Sequence, residues 1–186
     1  MDWNDFEQYV FADVCRAIDE IAPAFSNETV LAFCLQSHSD PGTITICINT
    51  EKGVAQSFAR YQEIPGFSGK TLEEFPELRE NPGDFSHKMV EPRGCFRDNR
   101  GYTELTESIM NDDNGDPWET RLEKVAREEE RFMEAICRVI IRLQAANKFS
   151  VLNRSSDFIS VCVDRCELVH EGLERIERVR NRIEPT

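Results

Sequence analysis

Apolar residues recur at three- and four-residue intervals along the first stretch of the chain, at Trp3, Phe6, Val10, Val14, Ile18 and Ile21. This period predicts an amphipathic helix with Asp2 as its N-cap, ending before Pro23. The pattern then changes at "TVLAFCLQS", residues 29–37, a nearly continuous apolar run of strand length. Such a run predicts a central strand covered on both faces. In "SDPGT" Pro41 and Gly42 stand where a type II turn wants them, after which Ile44, Ile46 and Ile48 alternate with Thr43, Thr45 and Cys47. A second strand over 43–49, antiparallel to the first, is the expectation.

After Ile48 the helical period returns with Val54, Phe58 and Tyr61. Asn49 and Thr50 fall at the switch, where the first turn of a helix needs side-chain acceptors for its free N–H groups. Capping explains the pair without any substrate; because helix starts also attract anions, both are kept as candidate ligand-binding residues.

Prolines and glycines punctuate residues 63–116 every few positions, so no long element is expected there. Phe67, Leu72, Phe75, Leu78, Phe85 and Phe96 make the segment too apolar for a free linker, and it should pack as a loop layer with short helical turns. Specific recognition, if the chain has any, is expected in this layer.

Regular periodicity resumes at "DPWETRLEKV", with Asp116 as N-cap, Pro117 at N1 and Glu119 at N3. The apolar positions from Trp118 to Leu143 predict the longest helix, about seven to eight turns at 3.6 residues each. "DFISVCVD", residues 157–164, alternates Ile159, Val161 and Val163 on one face and predicts a third strand. Val169, Leu173, Ile176, Val179 and Ile183 predict a last helix, with Glu171–Arg175 and Glu174–Arg178 at i, i+4. The reading is thus an α+β fold over a single domain, 1–186. It has a small, mostly antiparallel sheet (strands near 29–37, 43–49 and 157–164) packed by N-terminal, long central and C-terminal helices.

Composition narrows the functional classes. The formal net charge is −13, and residues 102–134 hold eleven Asp and Glu against four Lys and Arg, whereas 135–163 are net basic. Such a field repels nucleic acid and anionic membrane and attracts a basic protein, besides serving solubility. No apolar run approaches the ~20 residues of a membrane span, and Met1 to Val10 carries three acidic groups where a signal peptide carries positive charge, so a cytoplasmic location is expected. The seven cysteines form an odd set, mostly within apolar periodic segments, and read as reduced core residues; Cys162 and Cys166 lack the spacing of a zinc or redox motif.

Candidate chemistry concentrates in the loop layer. His87 and Cys95, eight residues apart, would suit a thiolate and its imidazole if folding brought them together. Arg93, Arg97 and Arg100, beside glycines, form the basic cluster that could hold a phosphate. "DDNGDPWETRLE", residues 112–123, imitates a calcium loop but has Pro117 where that loop demands Gly. No P-loop, dinucleotide fingerprint, Ser/His/Asp order or HExxH is present, so neither cofactor nor metal is expected and catalysis has little positive support.

The order helix, "VLAFCLQSHSDPGTITICINTEKGV", helix, Pro/Gly-rich middle, long helix, "DFISVCVDR", helix resembles the bacterial domain-of-unknown-function family 4303. In that family an apolar strand leads through a turn to a second strand ending in Asn-Thr-Glu, matched here by Asn49, Thr50 and Glu51. The resemblance implies an α+β bacterial protein and carries over no catalytic residues. Small acidic proteins of this kind look like immunity partners of secreted toxins. The leading expectation is therefore a non-catalytic acidic binding protein, an immunity-type inhibitor of a basic toxin. The competing one is an enzyme or small-ligand protein using the 63–116 layer. An oligomer built on the long helix is a third.

Overall fold

In the computed structural model the described residues are 1–38, 43–89, 100–111 and 115–183. Asp2 caps α1 (Trp3–Ile21) by accepting the N–H groups of Asn4 and Asp5, and the apolar stripe of the helix is buried as its period requires. A 3₁₀ turn over Ala22–Phe25 leads to β1 (Val30–His38). The remaining elements are β2 (Thr43–Thr50), α2 (Glu51–Gln62), the four-residue α3 (Glu77–Glu80), β3 (His87–Met89), α4 (Arg100–Met110), α5 (Trp118–Ala145), β4 (Arg154–Asp164) and α6 (Val169–Ile183).

The sheet has the order β3-β2-β1-β4. β1 pairs antiparallel with β2, from His38↔Thr43 to Val30↔Thr50, and β2 pairs antiparallel with β3. β4 is parallel to β1, with Cys34 opposite Val161 and Leu35 opposite Cys162, so the α+β sheet is mixed. Strand periodicity is the same in either chain direction, which is why alternation alone does not reveal this sense. As the unbroken apolar run demands, β1 is interior to the sheet, and Phe33, Cys34 and Leu35 are fully buried.

α5 and α6 pack against β4, and α1 lies on α5, with Phe6 against Phe132 at a ring separation of 5.4 Å. Arg138 on α5 bonds Glu7 of α1, and Lys148 bonds Asp19. The basic segment 135–163 therefore neutralises part of the acidic N-terminal helix. Arg175 reaches back to Glu167 in a two-pronged pair and not to Glu171, whose carboxylate accepts the Leu168 N–H.

Three local expectations are corrected. The 63–116 layer contains an eleven-residue helix, α4, whose Tyr102 is fully buried and stacks on Phe132 at 4.5 Å. Tyr102, Leu105 and Ile109 do carry helical spacing, hidden among the glycines around them. The layer also contributes the short strand β3. Asp116 does not cap α5: Pro117 precedes the helix in an extended conformation at ψ 150°, and the Asp116 carboxylate pairs with Lys124. A smaller apolar cluster of Val54, Phe75 and Leu78, joined by Leu31, Phe58 and Tyr61, seats the layer on α2.

Candidate functional site

The β2–α2 junction is built first by backbone needs. Thr50 ends β2 in an extended conformation, and its Oγ1 accepts the Gly53 N–H at 3.0 Å, which satisfies one free donor of the first turn of α2. The same hydroxyl donates to Glu28 Oε2 at 3.0 Å, and Lys52 donates to Glu28 Oε1 at 3.1 Å. The Lys52 and Thr50 hydrogen bonds hold the Glu28 carboxyl below its usual range. His87, on the edge strand β3, has Nε2 3.8 Å from Glu28 Oε2 and its ring edge-on to Phe25 at 5.0 Å.

Asn49, 1 % exposed, points its Nδ2 at the Leu78 carbonyl, 2.8 Å away, and so pins α3 and the loop layer to the sheet. Its Oδ1 is buried without a hydrogen-bond partner among the described residues. The structure thus places Thr50 and His87 on one carboxylate, Glu28, and gives Asn49 a separate partner. Glu28 is invisible to spacing arguments because it lies 22 residues from Thr50 and meets it only through the register of β1 and β2. Arg93, Cys95 and Arg97 lie outside the described residues, as do Asp112 and Asn114 of the calcium-loop imitation; Arg100 is the first residue of α4. The pairing of His87 with Cys95 and the arginine cluster therefore lie beyond what is described.

Two concavities flank this layer. The first, about 430 Å³, lies between α2 and residues 83–86 and is lined by Gln56, Ser57, Arg60, Asp84 and Ser86 among others. Its floor depends on Gly53: a Cβ there would lie 1.9 Å from Ser86 Oγ, so only glycine lets the two segments approach this closely. The second, about 360 Å³, runs between α4 and α5. Met110 of α4 and Leu122 and Val125 of α5 are its apolar lining, and Glu107 and Glu129 stand beside them. Trp118, one turn before Leu122, is 58 % exposed, and Leu122 is 45 % exposed.

The charges around this second groove are unbalanced for a structural reason. Arg121 turns its guanidinium onto the carbonyls of Met110 and Asp116, and Arg127 donates to the Glu123 carbonyl; among the described residues neither pairs with a carboxylate. Glu104, Glu107, Glu119 and Glu123 are exposed. Among the described residues no group of three or more His, Cys, Asp and Glu side chains converges as a metal site requires. Nor is any described helix long and apolar enough to cross a membrane.

No curated protein and no solved structure matches the chain. One family model does, over residues 12–181: Domain of unknown function (DUF4303). That match runs from within α1 to within α6 and includes the Asn49-Thr50-Glu51 junction, and the chain accordingly belongs to the DUF4303 family.

Proposed function

We propose that the protein is a non-catalytic binding protein whose α4–α5 groove receives a basic amphipathic segment of a partner protein. The observation that carries this reading is the pairing of exposed apolar anchors, Trp118 and Leu122, with the exposed carboxylates of Glu104, Glu107, Glu119 and Glu123. An exposed aromatic one turn from an apolar groove with acidic residues beside it can anchor an interface centre, while the charges set encounter rate and partner choice. The acidic N-terminal helix is the weaker candidate, because Arg138, Lys148 and Arg16 already occupy its Glu7, Asp19 and Asp13.

Immunity-type inhibition fits this mode of action: a small acidic protein covers a basic toxin surface and needs no chemistry of its own. The test is affinity capture from the native cell at low salt with the parent protein and with the double variant Trp118→Ala/Leu122→Ala. A basic protein retained by the parent and lost by the variant supports the reading. Recovery of no protein partner by the parent overturns it. A toxin gene immediately upstream would favour the inhibitor form of the proposal.

A second reading is favoured by one observation, the polar cleft of about 430 Å³ with Arg60 and Asp84 on its lining. A cation from α2 and an anion from the facing segment suit a small zwitterionic ligand. A bound small molecule recovered from the natively purified protein would move the assignment to that cleft.

A further inference from the structure

Among the described residues, four cysteines, Cys34, Cys47, Cys137 and Cys162, are fully buried, and Cys137 and Cys162 touch. Cys137 on α5 and Cys162 on β4 bring their sulfurs to 3.0 Å. A disulfide bond is about 2.05 Å long, so the sulfurs need approach by only about 1 Å. Both residues sit on long regular elements that pack directly on each other. On the neighbouring strand Leu35 stands opposite Cys162 and Cys34 opposite Val161, so alternation turns Cys34 to the other face of the sheet, and Arg175 is the nearby cation.

We propose that Cys137 and Cys162 form an oxidisable dithiol, closing under peroxide to a disulfide that staples the long helix to the sheet. One thiolate attacks a peroxide oxygen; the O–O bond breaks, giving a sulfenic acid and, with a proton, the first water. The second thiol attacks that sulfur, the S–O bond breaks, and a second water leaves as the S–S bond forms. The two thiols lose two electrons and two protons in all, and hydrogen peroxide supplies the balancing oxidant. The site is distinct from both concavities and does not depend on the binding reading.

Access sets the rate. Contact with Cys137 and burial hold the Cys162 thiol well above its usual range, with Arg175 opposing them, so little thiolate is present at neutral pH in the closed state. The reaction therefore follows local opening of the α5–β4 packing, and among the described cysteines the exposed Cys166 reacts first. Once formed, the bridge closes a loop spanning 25 positions and constrains the unfolded chain.

The test treats the full-length protein with hydrogen peroxide, blocks the remaining thiols under denaturing conditions with N-ethylmaleimide, and maps peptides by mass spectrometry without reduction. The expected result is that Cys137 and Cys162 are no longer blocked and that their peptides are cross-linked to each other. The oxidised protein should melt higher by about 5 °C, a shift that dithiothreitol reverses and the Cys137→Ala variant lacks. Full N-ethylmaleimide labelling of Cys137 and Cys162 after Cys166 has been oxidised would overturn the proposal. So would a cross-link joining Cys162 to Cys34. Both readings come from the parent protein, so they hold even if Cys137→Ala fails to fold.

Discussion

Gly53→Ala isolates how the loop layer is seated on α2. In an unconstrained helix the change is favourable by roughly 0.5–1 kcal/mol, because glycine loses more backbone freedom on folding. Here the new Cβ would fall 1.9 Å from Ser86 Oγ and 2.1 Å from Ser86 Cβ, and 3.1 Å from the capping Thr50 Oγ1. The nearest contact includes Cβ, which no rotamer change moves away, so residues 83–86 must shift as backbone. Overpacking of that kind costs about 1–3 kcal/mol, and the net expectation is a loss of ~1–2 kcal/mol and a Tm lower by about 3–6 °C. Ser86→Gly removes both clashing atoms. In that background Gly53→Ala should fall within about 0.5 kcal/mol of neutral, which gives a coupling of roughly 1–2 kcal/mol across the pair. Urea unfolding of the four proteins, with unchanged m-values, measures the cycle. A Gly53→Ala protein more stable than the parent, or an equal cost in both backgrounds, would refute the close approach on which the cleft depends.

Asn49→Ala removes the donor to the Leu78 carbonyl and should cost about 1–3 kcal/mol; limited proteolysis should then cut near residues 72–85 faster than in the parent, and an unchanged cutting rate would contradict the pinning role. Stability should also fall in acid through Glu167. Burial raises its carboxyl, but the hydrogen bonds from Arg175 and the Asp164 N–H outweigh it and leave the folded value below the ordinary 4.5. A group depressed in the folded state contributes stability above its unfolded value and loses it as pH falls through the folded one. Unfolding free energy should therefore drop below about pH 4.5, and Glu167→Gln should flatten that slope, as read by urea titrations between pH 3 and 7. An equal slope in both proteins would assign acid sensitivity elsewhere.

The elements that periodicity reveals are those whose neighbours repeat along the chain. α1, α5 and α6 each bury one stripe, and β1 and β2 bury both faces, so their residues carry the pattern in themselves. The direction of β4 was not legible, since it depends on the crossover that returns the chain to β1 and not on β4 itself. α4 left a trace in Tyr102, Leu105 and Ile109, but the punctuation around it outweighed three apolar positions. At the site, Thr50 as a cap was readable because its donor lies three residues away. Glu28 for Thr50, and Leu78 for Asn49, were not readable, being set by register and by the docking of the loop layer. The acidity of 102–134 was plain in the sequence, yet its consequence rests on Arg121 and Arg127 bonding carbonyls, which only the fold determines.

The most direct test of the acidic groove is the salt dependence of binding for the captured partner, compared between the parent and Glu107→Lys/Glu119→Lys/Glu123→Lys. The parent affinity should fall by about tenfold or more between 50 and 200 mM salt, as expected for a steered, charge-complementary contact. The reversed variant should bind at least about tenfold more weakly at the lower salt, with a far shallower dependence. A parent affinity flat across that range, or one that charge reversal leaves unchanged, would contradict the account.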